Sequence, residues 1–170
     1  GSEMCIRDRG HTERSVPIGT IEVAIWDLVA KIEQLPLYAV LANQFNDGII
    51  PTHVPCYVGG GWYAPGKGIP ELQAEIQKRM DEGYRIMKVK VGGAPLAEDL
   101  KRLDAAIQVV GSAQNLAVDA NAAWQRPAAL EYAKALQPYH LRWLEEPTDP
   151  LDFSLLSELV GFYDSPIATG

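Results

Sequence analysis

Cysteine is scarce. The 170 residues hold two, Cys5 and Cys56, at no metal-ligand spacing, which excludes a disulfide framework and a cysteine-based zinc site. Cys56 is therefore read as a structural residue in a reducing compartment, and a cytoplasmic location is expected. Histidine is nearly as rare, and His11, His53 and His140 are assigned no role. No apolar run reaches membrane-spanning length and nothing near the start resembles a signal peptide, so no membrane partner is expected. Positive charge is in deficit: 15 Lys and Arg stand against 22 Asp and Glu, a net charge of −7. That balance argues against nucleic acid or an acidic membrane surface as a partner. It leaves room for a small anionic substrate, because a few local lysines outvote the global charge. Also missing is a Gly-rich phosphate turn leading into a helix, since Gly59-Gly60-Gly61-Trp62 opens a loop instead.

What the chain does have is a repeating unit. Residues 1–10 show no periodicity, and Met4-Cys5-Ile6-Arg7-Asp8-Arg9 looks like translated adapter sequence, so this stretch is expected to be a non-native leader. Ile21, Ala24, Ile25, Leu28, Val29 and Ile32 then follow helical spacing, with Thr20 as the expected N-cap. Pro36 breaks that helix, and one or two further turns are expected over 37–42. After Gly48 strands are predicted over 55–60, 86–91, 116–119 and 141–146, with a fifth opening at Ile167. Helices are predicted between them over 70–81, 95–110, 127–136 and 151–160, the first two stopped by Gly83 and Gly111. One crossover helix per strand implies parallel, right-handed units.

The polar residues decide between the two architectures built from such units. Lys88 and Lys90, Asp119 and Asn121, and Glu145 and Glu146 all fall at the C-terminal ends of successive predicted strands. In a barrel these ends face one mouth, whereas an open sheet spreads them along a crevice. The expected fold class is therefore α/β, a partial (β/α)8 TIM barrel of about four to five units, with a helical segment over 11–50 and the half barrel over 51–170. A complete barrel takes roughly 250 residues.

Strand parity puts Lys88 and Lys90 on one face and Met87, Val89 and Val91 on the other. Trp143 and Glu145 share a face, with Glu146 on the opposite one or behind the site. Carboxylates on separate strands suit a hard, oxygen-seeking ion such as Mg²⁺. A lysine beside a second ammonium and a divalent cation is pushed toward its neutral form and becomes usable as a general base. Metal and base together suit abstraction of a proton α to a carboxylate, because the ion holds the charge of the enediolate.

Lys88-Val89-Lys90, Val118-Asp119-Ala120-Asn121 and Trp143-Leu144-Glu145-Glu146-Pro147 resemble, in order and spacing, the signature of the mandelate racemase branch of the enolase superfamily. The helix with Ala24-Ile25-Trp26-Asp27 resembles the last helix of that family's α+β capping domain. Within the branch, Gly60-Gly61-Trp62-Tyr63-Ala64-Pro65-Gly66-Lys67-Gly68, Gly92-Gly93-Ala94-Pro95, Asp149-Pro150-Leu151-Asp152 and Ala168-Thr169-Gly170 resemble the D-tartrate dehydratase-like members. The resemblance implies Asp119 and Glu145 as Mg²⁺ ligands, Lys90 as the base that removes the α proton, and Lys88 as its neighbour, holding the substrate carboxylate. It implies Asn121 at the metal's water shell or the substrate. Members of this type lose the β-hydroxyl of a hydroxy acid or acid sugar as water and yield a 2-keto acid. Lys67 and Tyr63, on the loop after the first strand, are placed to contact such a polar substrate.

The resemblance also implies a third metal ligand just past Gly170 and an acid histidine on a later strand, neither of which is present. The polypeptide alone is accordingly expected to be inactive, and its parent is expected to form a homo-oligomer. Three alternatives remain open: a racemase or epimerase of the same branch, a non-catalytic binding or assembly module, and a flavodoxin-like sheet with coincidental acids.

Overall fold

In the computed structural model, which describes residues 12–169, two units divide the chain, one reaching to Pro55 and the other starting at Cys56. The leader expected over 1–10, together with His11 and Gly170, lies outside the described residues.

The first unit is a helical hairpin. Helix α1 covers Thr12–Glu33 and α2 covers Leu37–Phe45. The sequence placed the start of α1 nine residues too late, with Thr20 as its cap; Thr20 is instead an interior helical residue. The apolar periodicity begins only near Ile21, whereas Pro17 keeps a helical φ and gives up a single backbone hydrogen bond, so the helix runs on through it. Pro36 ends the connection as expected and stands at the N-cap of α2. Trp26 meets Phe45 edge to face at 6.0 Å, and Asp27 pairs with Lys31 on the exposed side. Ile21, Val23, Ile25, Leu28 and Ile32 of α1 are all exposed.

The second unit alternates strand and helix: β1 Val58–Gly60, α3 Ile69–Asp81, β2 Met87–Lys90, α4 Leu96–Val110, β3 Leu116–Asp119, α5 Arg126–Leu136, β4 Leu144–Glu145, α6 Phe153–Val160 and β5 Ile167–Ala168. All strand pairs are parallel and the sheet order is β1-β2-β3-β4-β5. Sequential order without a reversal point is the order of a barrel wall, and it overturns the flavodoxin-like alternative. Several strands are shorter than predicted, yet their ladders extend past the regular part. Arg142 N–H donates to the Leu116 carbonyl and Val118 N–H to that of Trp143.

Met87, Val89, Leu116, Val118 and Leu144 form one face of the sheet and are almost fully buried. Against them pack Leu72 and Ile76 of α3, Leu103, Ala106 and Val110 of α4, and Ala129, Ala133 and Leu136 of α5. Each large side chain so buried contributes about 1.5–3 kcal/mol. Among the described residues no helix is long and apolar enough to cross a membrane.

Candidate active site

The register of the sheet builds the site. Lys90 is paired with Asp119, and Asp119 with Glu145. Laterally paired residues of parallel strands point to the same face, so the three form one row across β2, β3 and β4. Lys88 lies one pleat below Lys90, beside Ala117.

The side chains close into a chain of ion pairs. Lys90 Nζ is 2.6 Å from Asp119 Oδ2, while Lys88 Nζ is 3.1 Å from that same oxygen and 2.5 Å from Glu145 Oε1. Asp119 is almost wholly buried, and the two lysine side chains keep only 11–15% of their exposure. The second oxygen of Asp119 accepts the N–H of Asn121 at 2.9 Å. Trp143 Nε1 donates to Glu145 Oε2 at 2.8 Å and so fixes which oxygen of Glu145 faces Lys88. Burial works against the charge on Asp119, but the Lys90 ammonium and the Asn121 N–H outweigh it and hold the carboxyl below its ordinary range. Burial likewise opposes the charge of Lys88, and is outweighed by its hydrogen bond to Glu145 and the field of Asp119, so its affinity for a proton is raised.

Two aromatic residues that the sequence reading passed over complete the wall. The Trp62 ring stands 4.6 Å from Lys90 Nζ and the Tyr57 ring 5.5 Å from Lys88 Nζ. Tyr57 also meets Trp143 edge to face at 5.1 Å. The available signal was alternation: Tyr57, two residues before Gly59, falls on the face of Lys88.

The structure thus brings together Lys88, Lys90, Asp119 and Glu145, with Asn121 joined through its backbone. Lys67 and Tyr63 are engaged elsewhere. Lys67 pairs with Glu75 of α3 at 2.5 Å, and the Tyr63 hydroxyl donates to the buried Asp99 and lies 3.3 Å from the Lys90 carbonyl. Both residues follow a glycine-rich turn that α3 and α4 pull down onto the sheet, which is why they serve the scaffold here.

Asn121 and Ala122 after β3, and Glu146 after β4, adopt left-handed φ of 48°, 54° and 43°. Such conformations are costly for non-glycine residues and gather at functional sites. The left-handed turn lets Glu146 N–H reach the Ala168 carbonyl while the Glu146 carbonyl accepts from Ala122, which ties the loop after β3 to the end of β5.

Asp119 and Glu145 supply hard carboxylate oxygens that converge on one ammonium, a donor set that fits a divalent cation such as Mg²⁺. Among the described residues they are two, and no cluster of three or more His, Cys, Asp or Glu side chains is placed to share an ion.

The L-talarate/galactarate dehydratase of Salmonella typhimurium is 34% identical over 155 residues, covering 90% of this chain and 37% of that protein. Its crystal structure, liganded with Mg and L-lyxarohydroxamate, superposes with a TM-score of 0.76 at 32% identity over 88% of this chain and 37% of that one. L-Talarate dehydratase of Polaromonas sp. JS666, complexed with Mg and L-glucarate, gives a TM-score of 0.73 at 34% identity over 87% of this chain and 39% of that one. The D-Ala-D/L-Ala epimerase of Cytophaga hutchinsonii is 33% identical over 125 residues, 74% of this chain and 31% of that protein. The chain therefore spans less than two fifths of the length of these relatives. The model of the enolase C-terminal domain-like family matches residues 71–170, the stretch that carries Lys88, Lys90, Asp119 and Glu145 in a single wall of parallel strands, and the chain belongs to that family.

Proposed function

We propose that this chain is the base-bearing and metal-holding part of an enzyme that removes the α proton of a hydroxy acid or acid sugar and then eliminates the β-hydroxyl as water. The observation that carries the reading is the row Lys90, Asp119, Glu145 on successive strands, in which Lys90 pairs with Asp119 and Lys88, one pleat below, pairs with both carboxylates. The dehydratase relatives support the elimination, and the epimerase relative supports the shared first step, proton abstraction.

In this reading Lys90 Nζ, in its neutral form, accepts the α proton. Lys88 stays charged beside it and holds the substrate carboxylate, which its raised proton affinity favours. Asp119 and Glu145 would hold Mg²⁺, with Asn121 at the edge of its water shell. Bound there, Mg²⁺ would supply positive charge that stabilises the enediolate. Trp62 and Tyr57 flank the two lysines. The electron pair of the α C–H bond then expels the β-hydroxyl, which leaves as water after taking up a proton. The resulting enol tautomerises to a 2-keto acid.

The test is incubation of the full-length gene product containing this chain with a panel of aldaric and hydroxy acids and Mg²⁺ in deuterated water. Formation of a 2-keto acid, abolished in K90A, is the expected result. An epimerised acid that retains its hydroxyl moves the assignment to a racemase. Turnover in K90A within twofold of the wild type overturns Lys90 as the base.

A further inference from the structure

Helix α4 buries a stripe at helical spacing, Asp99, Leu103, Ala106 and Val110, together with Arg102. Leu103, Ala106 and Val110 have an ordinary reason to face the sheet, being apolar and part of the core. A carboxylate that is 2% exposed has no such reason, and among the described residues Asp99 is, with Asp119, the most deeply buried acid. Its two oxygens are filled by groups from three separate segments. Oδ2 accepts the Gly92 N–H at 2.6 Å and the Tyr132 hydroxyl at 3.0 Å, and Oδ1 accepts the Tyr63 hydroxyl. Burial, with Asp99 as acceptor, pushes both tyrosines above the usual phenol range, so both remain donors. One turn further along, Arg102 donates to the Gly61 carbonyl at 2.7 Å and lies over the Tyr63 ring at 4.2 Å.

The segments so gathered are those that place the base. Gly92 is two residues past Lys90, and the Tyr63 oxygen is 3.3 Å from the Lys90 carbonyl. Gly61 and Tyr63, both held, flank Trp62, whose ring stands 4.6 Å from Lys90 Nζ. The strand tip is gripped on both sides as well. A Cβ on Gly93 would lie 2.5 Å from the Tyr63 ring, and one on Gly92 2.8 Å from Trp124 Nε1, with Trp124 itself stacked on Tyr132. We infer that Asp99, aided by Arg102, is a positioning residue that fixes Lys90 and the Trp62 indole against each other from behind the strand. It touches no reacting atom and acts through Gly92 and Tyr63. The inference rests on the reading of Lys90 as the base.

The test has two arms. In the first, amide hydrogen exchange of the 170-residue chain is compared between wild type and D99N, an isosteric change that puts an amide N–H₂ where one acceptor stood. Exchange at residues 61–63 and 90–94 is expected to rise at least tenfold while β3 and β4 stay within twofold; unchanged exchange at 90–94 overturns the inference. In the second, the full-length gene product carrying D99N is expected to lose about 10- to 100-fold in kcat with KM moved by less than threefold, the pattern of a misplaced base. A kcat within twofold of the wild type overturns it. Should D99N fail to fold, Y63F keeps the ring over Gly93 and two donors on Asp99, and must show the same kcat-selective loss; a wild-type kcat in Y63F overturns the inference. If the wild-type enzyme turns over no acid, the proposed function fails, whereas the exchange arm still decides whether Asp99 holds Lys90.

Discussion

Lys88 on β2 places its ammonium 2.5 Å from Glu145 Oε1 on β4, reaching past the intervening strand, where its lateral neighbour is Ala117. The span is two inter-strand spacings, roughly 10 Å. It is open because the residue on β3 at that level is only a methyl group, itself fully buried.

Ala117→Leu should therefore break the Lys88–Glu145 pair without touching either residue. Overpacking of this kind costs about 1–3 kcal/mol, so the melting temperature falls while the sheet survives. A crystal structure of A117L that still shows the 2.5 Å pair would sink the idea.

The acid side of the stability profile should be dominated locally by Asp119. Its folded carboxyl is held below the ordinary range, so its contribution is complete above the unfolded value of about 3.9 and is lost as pH falls through the depressed folded value. Asp119→Asn removes the buried carboxylate that Lys88 and Lys90 share, leaving Glu145 to Lys88, at a cost of about 3 kcal/mol near neutrality. Urea unfolding of the two proteins should differ most at pH 7 and converge as pH falls well below 4. A constant difference across that range would show that the charge is not the source. On the alkaline side Lys88, with its raised affinity for the proton, contributes below the unfolded lysine value of about 10.4 and loses that contribution as pH rises through its higher folded value.

Much of this site was legible before any coordinates. A period of one strand and one helix placed Lys88, Lys90, Asp119 and Glu145 at successive strand ends, and alternation within β2 and β4 gave their shared face. What the sequence hid is pairing across distance. Tyr63 carries the mark of a substrate-contacting loop residue, and its actual partner Asp99 is 36 positions away on the core side of a helix. Lys67 is likewise drawn to Glu75, a contact set by how α3 lies on the first loop. The start of α1 was misplaced because apolar periodicity reports packing, and the first turns of that helix carry little of it.

Gly93→Ala tests the grip on the strand tip from the other side. Its Cβ would stand 2.5 Å from the Tyr63 ring, closer than real Cβ atoms approach, so the ring must move. The expected cost is about 1–3 kcal/mol, with loss of the Tyr63 hydroxyl from Asp99. Ultraviolet titration of the tyrosines should then show one phenol returning toward its ordinary value of about 10. An unchanged tyrosine titration would mean that the backbone, not the ring, had yielded.

Metal binding to the chain itself offers the sharpest separation of ligand from neighbour. Asp119 and Glu145 both spend an oxygen on Lys88, so a cation that takes those oxygens must displace an ammonium. An ammonium and a divalent cation 4 Å apart repel by about 8 kcal/mol at an effective dielectric constant of 20, a penalty that Lys88→Met removes. Titration calorimetry with Mg²⁺ should show weak binding to the wild type, at least tenfold tighter binding to K88M, and none to D119N or E145Q. The sign of the K88M effect is the decisive reading. If Lys88 were needed to arrange the carboxylates more than it competes for them, K88M would bind more weakly, and Asp119 and Glu145 would have to be regarded as partners of lysine and not as ligands in waiting.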